Sequence, residues 1–419
     1  MKIHGRDIPV SKIPSKIVRR VLRYPLSLYE DYRAVYYLEK NQKKKRKVDS
    51  VIRVAFLVQM PEVWDKEEPV YDALKNNPKF VTKLIVVPAY NAVKKAIERK
   101  YEDNYFLKKY PDAVRAYSNG SWLDLKNKFD YIFYQRPYDH YLPKEYQSRN
   151  LVKYAKCCYI PYGFCGSDNF DETLTGKSFF RNIYFAFLES AYYSTLLSKK
   201  FNTSQQFHNF KNIGYPALTP YFSIVPTKTY KRVLWTPRWS YDPKIGGSHF
   251  YEYKDIILKL KDMYPNIELT FRPHPLLFEE LIVKSMMNKK EIDEYLLILK
   301  HKDVKYDSGA PIFNTFNNTD ILITDYSSII IQFFITGRPI IYCDSKNIPL
   351  NETYLKLAEG MYIARSDEDI LKFMNELQKG NDFLFDKRKQ IIQTYLKQHV
   401  NATQNIVKYI EEDFLNLKK

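Results

Sequence analysis

Short apolar runs alternate with amphipathic segments from residue 51 onward, a pattern typical of strands and helices in turn. Val51–Val58 is almost continuously apolar, as expected of a parallel strand that is buried on both faces. The first half is predicted to contain further strands at Val81–Val87, Tyr131–Tyr134 and Cys157–Ile160, a strand end at Ile213–Pro216, and helices at Asp65–Leu74 and Phe179–Leu197. This alternation indicates a parallel sheet that is covered by helices.

The pattern restarts after Ser223–Lys231, a segment with a proline and little apolar periodicity. The second half is predicted to contain strands at Val233–Thr236, Ile267–Phe271, Ile321–Thr324 and Pro339–Tyr342, and helices at Tyr251–Met263, Glu279–Lys300, Ser327–Ile335 and Asp367–Leu377. The fold class is therefore α/β, with two Rossmann-like parallel-sheet domains that face a cleft. We expect residues 51–225 and 226–395 to form these domains, and residues 396–419 to form a C-terminal helix that crosses back to the first domain.

Residues 1–50 are expected to form a basic helical arm. The chain has 66 Lys and Arg against 48 Asp and Glu, a net charge of +18, and half of this excess lies in the arm. Ile13, Ile17 and Val21 share one helix face, which Lys16 and Arg19 flank. Such a helix favours contact with an anionic membrane surface, and the alternative is packing on the protein's own surface.

The cysteines and the apolar runs exclude several classes of protein. Four cysteines occur without a CxxC pair, which argues against a zinc site or a disulfide framework and favours a reducing cytosol. No signal-peptide pattern is present, and no apolar run reaches the ~18 residues that span a bilayer. Because no nucleic-acid-binding motif is found and the charge is concentrated in the arm, we expect no nucleic-acid partner.

Three polar clusters follow predicted strands of the second half, at 235–239, 271–275 and 323–328. In the third cluster, Ser327 and Ser328 are expected to occupy the first turn of a helix, where free N–H groups and hydroxyls suit a diphosphate. The alternative is that Asp325 or Ser327 only caps the helix.

The other two clusters supply a histidine and arginines. His274 lies between two prolines and next to Arg272, so its backbone is restricted and its imidazole has a fixed direction. Arg238 is a candidate phosphate ligand between Trp235 and Trp239, although a purely structural tryptophan pair is an equal alternative.

The order Arg272-Pro273-His274-Pro275, Thr324-Asp325-Tyr326-Ser327-Ser328 and Gly337-Arg338-Pro339 resembles the CDP-glycerol glycerophosphotransferase family of teichoic acid and capsule synthesis. The resemblance covers about 230–395. In the first half, Met60–Lys66 and Gly214-Tyr215-Pro216 are similar landmarks. The resemblance implies a GT-B-like fold in which residues 51–225 form the acceptor domain and residues 226–395 form the nucleotide donor domain.

The resemblance also implies roles for individual residues. His274 would contact the donor diphosphate and assist departure of the nucleotide, and Ser327 and Ser328 would hold donor phosphates. Asp325 matches the acid that opens the serine motif, and Asp344 lies near the acid that follows the next strand. Arg272 and Arg338 would be anion ligands.

The chain departs from the family's pattern in the first domain. The family carries a histidine before a glycine there, as a candidate base, whereas this chain has Pro161-Tyr162-Gly163. Replacement candidates for the base are Asp168, Asp139 and His140.

The resemblance implies transfer of glycerol phosphate or ribitol phosphate from a CDP-activated donor to a hydroxyl of a lipid-linked polymer, with release of CMP. It implies no cofactor or metal, and a peripheral location on the cytoplasmic face of the membrane. Two alternatives are a GT-B glycosyltransferase that uses another nucleotide sugar, such as CMP-sialic acid, and a non-catalytic relative that only binds the donor.

Overall fold

Two parallel sheets covered by helices dominate the computed structural model, which describes residues 2–3, 6–7, 16–44, 50–91, 94, 96–98, 104–167, 178–201, 210–226, 228–242, 246–309, 312–344 and 348–415. The first sheet contains β1 Ile52–Val58, β2 Phe80–Val86, β3 Val114–Arg115, β4 Tyr131–Tyr134, β5 Lys156–Tyr159, β6 Phe185–Phe187 and β7 Phe210–Lys211. Its strand order is β7-β6-β5-β4-β1-β2-β3. The helices of this half are α1 Lys16–Gln42, α2 Glu68–Lys75, α3 Tyr105–Lys109, α4 Ser148–Leu151 and α5 Ala191–Lys200.

The second sheet contains β8 Arg232–Thr236, β9 Glu268–Phe271, β10 Lys305–Tyr306, β11 Ile321–Thr324, β12 Ile340–Cys343 and β13 Tyr362–Ala364, in the order β10-β9-β8-β11-β12-β13. Its helices are α6 Phe250–Met263, α7 Leu277–Val283, α8 Lys289–His301, α9 Ile312–Asn317, α10 Ile330–Phe334, α11 Glu352–Ala358 and α12 Asp367–Gln378. Two further helices, α13 Phe385–Thr394 and α14 Ala402–Phe414, end the described chain. The α/β expectation is confirmed.

Each sheet reverses its strand order once. The reversal lies between β4 and β1 in the first sheet and between β8 and β11 in the second, and every ladder in both sheets is parallel. Parallel sheets bind ligands beyond the carboxyl ends of their strands at such switch points. The loops after these four strands are therefore the places to look for a site.

The predicted helix over Phe179–Leu197 is wrong. The structure has a 3-10 turn at Ser178–Asn182, the strand β6, and α5 only from Ala191. All three residues of β6 are buried because the strand lies inside the sheet, so its apolar run has no polar alternation. A continuous apolar run of this kind does not distinguish a buried strand from a buried helix.

Helix α1 packs against the first half through one face. Ala34 and Leu38 are fully buried, and the amide of Asn41 donates to the carbonyl of Val152 at 2.6 Å. Arg33 donates to the carbonyl of Arg149 at 2.9 Å. The side chains of residues 1–25, including the predicted lipid-facing residues, lie outside the described part. No helix among the described residues has the length and apolar character needed to cross a membrane.

Helix α14 packs against the first sheet. The carboxylate of Asp413 accepts hydrogen bonds from Lys156 at 2.6 Å and from the Tyr184 hydroxyl at 3.0 Å. Tyr131 also donates to this carboxylate. These bonds fix α14 to the first sheet. The domain boundaries stay a prediction.

A buried polar cluster joins the two halves. Lys66, in the 3-10 turn Pro61–Lys66, donates to the side-chain oxygen of Gln332 on α10 at 2.9 Å and pairs with Asp65. The amide of Gln332 donates to Asp65 at 2.9 Å and to the Tyr221 hydroxyl at 3.2 Å. Since every charge in the cluster has a partner from the opposite half or its own turn, the cluster fixes how the halves meet.

Candidate functional site

The switch point of the second sheet brings two predicted clusters together. The hydroxyls of Thr236 and Thr324, the last residues of β8 and β11, are 2.8 Å apart. The loops that follow carry Arg238 on one side and Asp325 on the other. These loops contact each other directly, as expected from parallel strands that end at the same edge.

Asp325 organises this edge and is buried, with 2% of its surface exposed. Its Oδ2 accepts the backbone N–H of Arg238 at 2.8 Å and that of His249 at 3.1 Å, and its Oδ1 lies 3.0 Å from His249 Nδ1. The carboxylate is therefore occupied by protein groups. It positions the loops and is not placed to bind a donor itself.

His249 is a residue that sequence reasoning missed, because no motif surrounds it. Burial alone would lower its pKa, but the hydrogen bond and charge of Asp325 raise the pKa above its usual value. The imidazole of His249 therefore lies at the carboxyl edge of the second sheet, held by Asp325.

Arg238 turns its guanidinium toward the serine loop. It donates to the carbonyl of Tyr326 at 3.2 Å and lies over the Tyr326 ring, 5.0 Å from the centroid. Burial lowers its pKa, yet the group stays charged at neutral pH. A fixed positive charge therefore lies directly beside Ser327.

His274 lies in the loop after β9, beside Arg238. His274 is exposed to solvent, and the centroid of its ring is 5.9 Å from that of Trp239. Desolvation by the surrounding protein, together with the charge of Arg238, lowers the pKa of His274 to about 4. Its Nδ1 accepts the backbone N–H of Leu276 at 3.2 Å. The neutral imidazole then carries its proton on Nε2, so Nε2–H is a hydrogen-bond donor with a fixed direction.

Ser327 and Ser328 do not occupy a helical turn as predicted, because α10 begins only at Ile330 and has five residues. They lie in the turn before it, where the carbonyl of Ser327 accepts the Tyr354 hydroxyl at 3.0 Å. A helix this short contributes little field, so any anion there would depend on the hydroxyls, the turn's N–H groups and Arg238.

The first half closes directly over these serines. A Cβ added to Gly163 would meet the hydroxyl oxygen of Ser328 at 3.3 Å, so the glycine allows the two halves to approach. Beyond it, the backbone N–H of Gly166 donates to the Tyr326 hydroxyl at 3.1 Å. The sequence marked Gly163 as a retained position but gave no sign of its contact with Ser328.

Arg338 is a correction, because the structure places it at the opposite edge of the sheet. It precedes β12, and its guanidinium donates to the carbonyls of Phe316, Asn317 and Thr319 at 2.5–3.0 Å. These carbonyls end α9, so Arg338 is a structural cation. We withdraw it as a donor ligand.

Arg272 and Asp344 do lie at the carboxyl edge. Arg272 donates to Asp307 at 2.6 Å, which partly neutralises it. Asp344 accepts from Arg365 at 2.9 Å and lines a cavity of about 530 Å³ together with His249 and Tyr253. The cavity opens next to the Asp325 loop and is large enough for part of a nucleotide.

The structure describes two of the three base candidates of the first half. Asp139 accepts from the backbone N–H and the hydroxyl of Ser148, both at 2.7 Å, so it caps α4. His140 is exposed, and its ring lies 4.2 Å from that of Tyr141. Asp168 lies outside the described residues.

Glu189 is a second residue that the sequence did not indicate. It follows β6 and is 3% exposed, and the backbone N–H of Cys165 is among its hydrogen-bond donors. Burial raises the pKa of Glu189 to about 7, although its backbone hydrogen bonds lower the pKa. Because the carboxyl lies beneath the loop that carries Gly163, its role is to position that loop. No cluster of three potential metal-ligating side chains occurs among the described residues.

Comparisons with known proteins agree with this arrangement. Residues 222–412 match the profile of the family described as CDP-Glycerol:Poly(glycerophosphate) glycerophosphotransferase. The teichoic acid glycerol-phosphate primase of Bacillus subtilis (strain 168) is 25% identical over 290 residues, which cover 62% of this chain and 69% of the primase.

Two solved structures illustrate the fold. The wall teichoic acid polymerase TagF matches with a TM-score of 0.54 at 13% identity, over 96% of this chain and 98% of the TagF chain. The UDP-GlcNAc 2-epimerase from Neisseria meningitidis matches with a TM-score of 0.55 at 11% identity, over 86% of this chain and 99% of the epimerase. At these identities the likeness shows the fold alone, and the GT-B-like expectation is confirmed.

Proposed function

We propose that the chain, whose residues 222–412 match the model of the CDP-Glycerol:Poly(glycerophosphate) glycerophosphotransferase family, transfers a polyol phosphate from a CDP-activated polyol to an acceptor hydroxyl in teichoic acid synthesis. The observation that supports it best is the group formed by Arg238, His274 and Ser327 at the switch point of the second sheet. A fixed guanidinium, a neutral N–H donor and a hydroxyl suit the oxygens of a diphosphate.

The reaction requires little covalent chemistry from the protein. The acceptor oxygen attacks the phosphorus next to the polyol, the bond from that phosphorus to the bridging oxygen breaks, and CMP leaves with the electron pair. Arg238 and the Nε2–H of His274 stabilise the negative charge that develops on the leaving group. Holding both reactants in the cleft supplies much of the remaining rate enhancement.

The acceptor hydroxyl must also lose a proton. His140 is the base that we propose, because it is exposed in the loop that follows β4, at the first sheet's switch point. The nucleoside of the donor would occupy the cavity beside Asp344, and its diphosphate would reach Ser327 and Ser328.

Donor binding gives the direct test of this function. CDP-glycerol or CDP-ribitol at ~100 times its dissociation constant should stabilise the protein by about 2.7 kcal/mol in a thermal melt, whereas UDP-GlcNAc and GDP should not. His274→Ala should lose this stabilisation. His140→Ala is the matched control and should keep it, because a base on the acceptor side does not hold the donor.

Two other outcomes would overturn the proposal. Stabilisation only by CMP-sialic acid would favour a sialyltransferase-type donor, and stabilisation only by UDP-GlcNAc would mean that the chain shares the nucleotide of its epimerase neighbour. Donor binding without release of CMP in the presence of acceptor would indicate a non-catalytic relative. The solved TagF structures include one soaked with CDPG, which supports cytidine nucleotides as the first ligands to try.

We propose in addition that α1 attaches the enzyme to an anionic membrane surface. Tyr32 and Tyr36 lie one turn apart and are 83% and 61% exposed, and Leu28 and Tyr29 on the same helix are also exposed. Exposed tyrosines on a helix that continues into a basic arm suit the lipid–water interface. A lipid-linked acceptor would then reach the first half, on which α1 is packed.

Membrane contact can be measured by co-sedimentation with vesicles. The protein should bind vesicles rich in phosphatidylglycerol, less so at high salt, and the Tyr32→Ser, Tyr36→Ser double variant should bind several-fold more weakly. Tyr251→Ser, at a half-exposed tyrosine of the second half, is the control and should bind like the parent protein. If the double variant bound vesicles as strongly as the parent protein, a role of Tyr32 and Tyr36 in membrane contact would be contradicted.

A further inference from the structure

At the switch point of the first sheet, hydrogen bonds join the two loops, as they do at the switch point of the second sheet. Gln59 follows β1 and Gln135 follows β4. The side-chain oxygen of Gln135 accepts the backbone N–H groups of Gln59 and Met60 at 2.9 and 2.8 Å, and its amide donates to the carbonyl of Met60 at 2.8 Å. These bonds fix the two loops to each other, so the next residue along, Arg136, starts from a rigid base.

Arg136 is held in place mainly by uncharged groups. It donates to the side-chain oxygen of Gln59 at 2.9 Å, and its guanidinium lies over the ring of Tyr141, 4.6 Å from the centroid. In the part of the chain that the structure describes, no carboxylate lies within ion-pair distance of it, and the exposed Glu62 is the acid that acts on it at longer range. The burial lowers the pKa of Arg136, which nevertheless stays charged.

A half-buried cation without a close counterion has lost hydration without full compensation. An anion that enters beside it would recover that free energy. Phosphate esters suit a guanidinium, because its N–H groups match two phosphate oxygens at once.

Two tyrosines place hydroxyl groups near Arg136. The hydroxyls of Tyr138 and Tyr162 are 2.7 Å apart, and both residues lie close to the guanidinium. Burial is the main cause that raises the pKa of Tyr162, and the neighbouring Tyr138 raises it further. The phenol therefore stays protonated. The two hydroxyls are therefore neutral hydrogen-bonding groups close to the guanidinium.

This cluster also lies next to Ser328, one of the two serines proposed to bind the donor phosphates. Tyr162 directly precedes Gly163, whose Cα faces the hydroxyl of Ser328. A ligand held by Arg136 and Tyr162 would therefore lie on the acceptor side of the cleft, across from the donor phosphates.

We propose that Arg136, Tyr138 and Tyr162 form a phosphate-binding subsite that holds a phosphate ester of the acceptor and directs its terminal hydroxyl toward the donor. The inference rests on the proposed function, and it deepens it by assigning residues of this chain that would hold the acceptor. The subsite occupies the region in which the family's histidine is absent. It therefore provides binding rather than a base.

Binding of a small probe tests the subsite without any turnover. Glycerol 3-phosphate at millimolar concentration should raise the melting temperature of the full chain, and Arg136→Gln should weaken this binding by at least tenfold. Tyr162→Phe should weaken it less, because only one donor is removed. Arg115→Gln, at an exposed arginine of the sheet edge, is the control and should bind like the parent protein.

Steady-state kinetics separates acceptor from donor. In Arg136→Gln the KM for a glycerol-phosphate oligomer should rise at least tenfold, while the KM for the CDP-activated donor stays within twofold. A parallel rise in the donor KM would overturn the proposal, since Arg136 would then hold the donor diphosphate. Undiminished glycerol 3-phosphate binding by Arg136→Gln, or no binding by the parent protein, would also overturn it. Absence of transfer activity would contradict the proposed function and leave the probe binding to decide the subsite.

Discussion

Replacing His274 with alanine is expected to lower the rate of polyol-phosphate transfer by about 10²–10³-fold, the usual effect of removing one preorganised donor from a developing negative charge. The loop would keep its shape, because Pro273 and Pro275 restrict the backbone and the imidazole accepts only one hydrogen bond, from Leu276. The measurement is CMP release with acceptor present. His301→Ala, at an exposed histidine on α8, is the control and should retain full activity.

The tautomer of His274 makes this prediction sharper. Glutamine can place an amide N–H close to the position of Nε2, so His274→Gln should recover part of the activity that alanine loses. The pKa of His274 is lowered to about 4. Any loss of kcat/KM that its protonation causes should therefore be centred near pH 4 and not near pH 6.5. A loss of kcat/KM centred on pH 6.5 that disappears in His274→Ala would contradict the neutral N–H donor.

Replacing Lys66 with methionine is expected to lower the free energy of unfolding by about 3–5 kcal/mol. The change leaves the buried carboxylate of Asp65 without its cation and removes a donor from Gln332 on the other half. Urea unfolding followed by circular dichroism measures the loss. Lys75→Met is the matched control and should cost at most about 1 kcal/mol, since Lys75 pairs with Asp112 at the surface.

The partner substitution distinguishes a broken ion pair from poor packing. If the unpaired carboxylate causes the loss, the Asp65→Asn, Lys66→Met double variant should be more stable than Lys66→Met alone. A double variant that is no more stable would mean that the packing of Lys66 between the halves matters more than its charge.

The sequence predicted the larger strands well, because parallel strands buried on both faces leave continuous apolar runs such as Ile321–Thr324. It failed where the runs were short or ambiguous. The three residues of β6 were assigned to a helix, and the two-residue strands β3, β7 and β10 have too little pattern to be detected. Pairing with neighbouring strands, which local sequence does not reveal, is what defines them.

The sequence located part of the candidate site, whose functional roles stay a prediction. Arg238, His274 and Asp325 were selected because their clusters follow predicted strands, and the structure has all three in loops after strands of the second sheet. Arg338 was selected through the family resemblance, and it precedes its strand, so it lies at the other edge. Contacts between distant segments, such as His249 with Asp325, leave no local pattern and became evident only from the fold.

The return of α14 to the first sheet has a mechanical consequence. The chain passes between the halves twice, once near Pro226 and once between α13 and α14, where the backbone N–H of Tyr215 donates to His399 at 3.1 Å. Gly214, with a φ of 103°, allows the second passage to lie close, since a Cβ there would meet Ala402 at 2.7 Å. Because the two halves are connected at two separate points, the rotation that distorts these connections least is about the line through both of them. A rotation about this axis that separates Gly163 from Ser328 would also have to break the buried hydrogen bonds of Lys66 and Asp65 with Gln332, so these bonds oppose opening of the cleft.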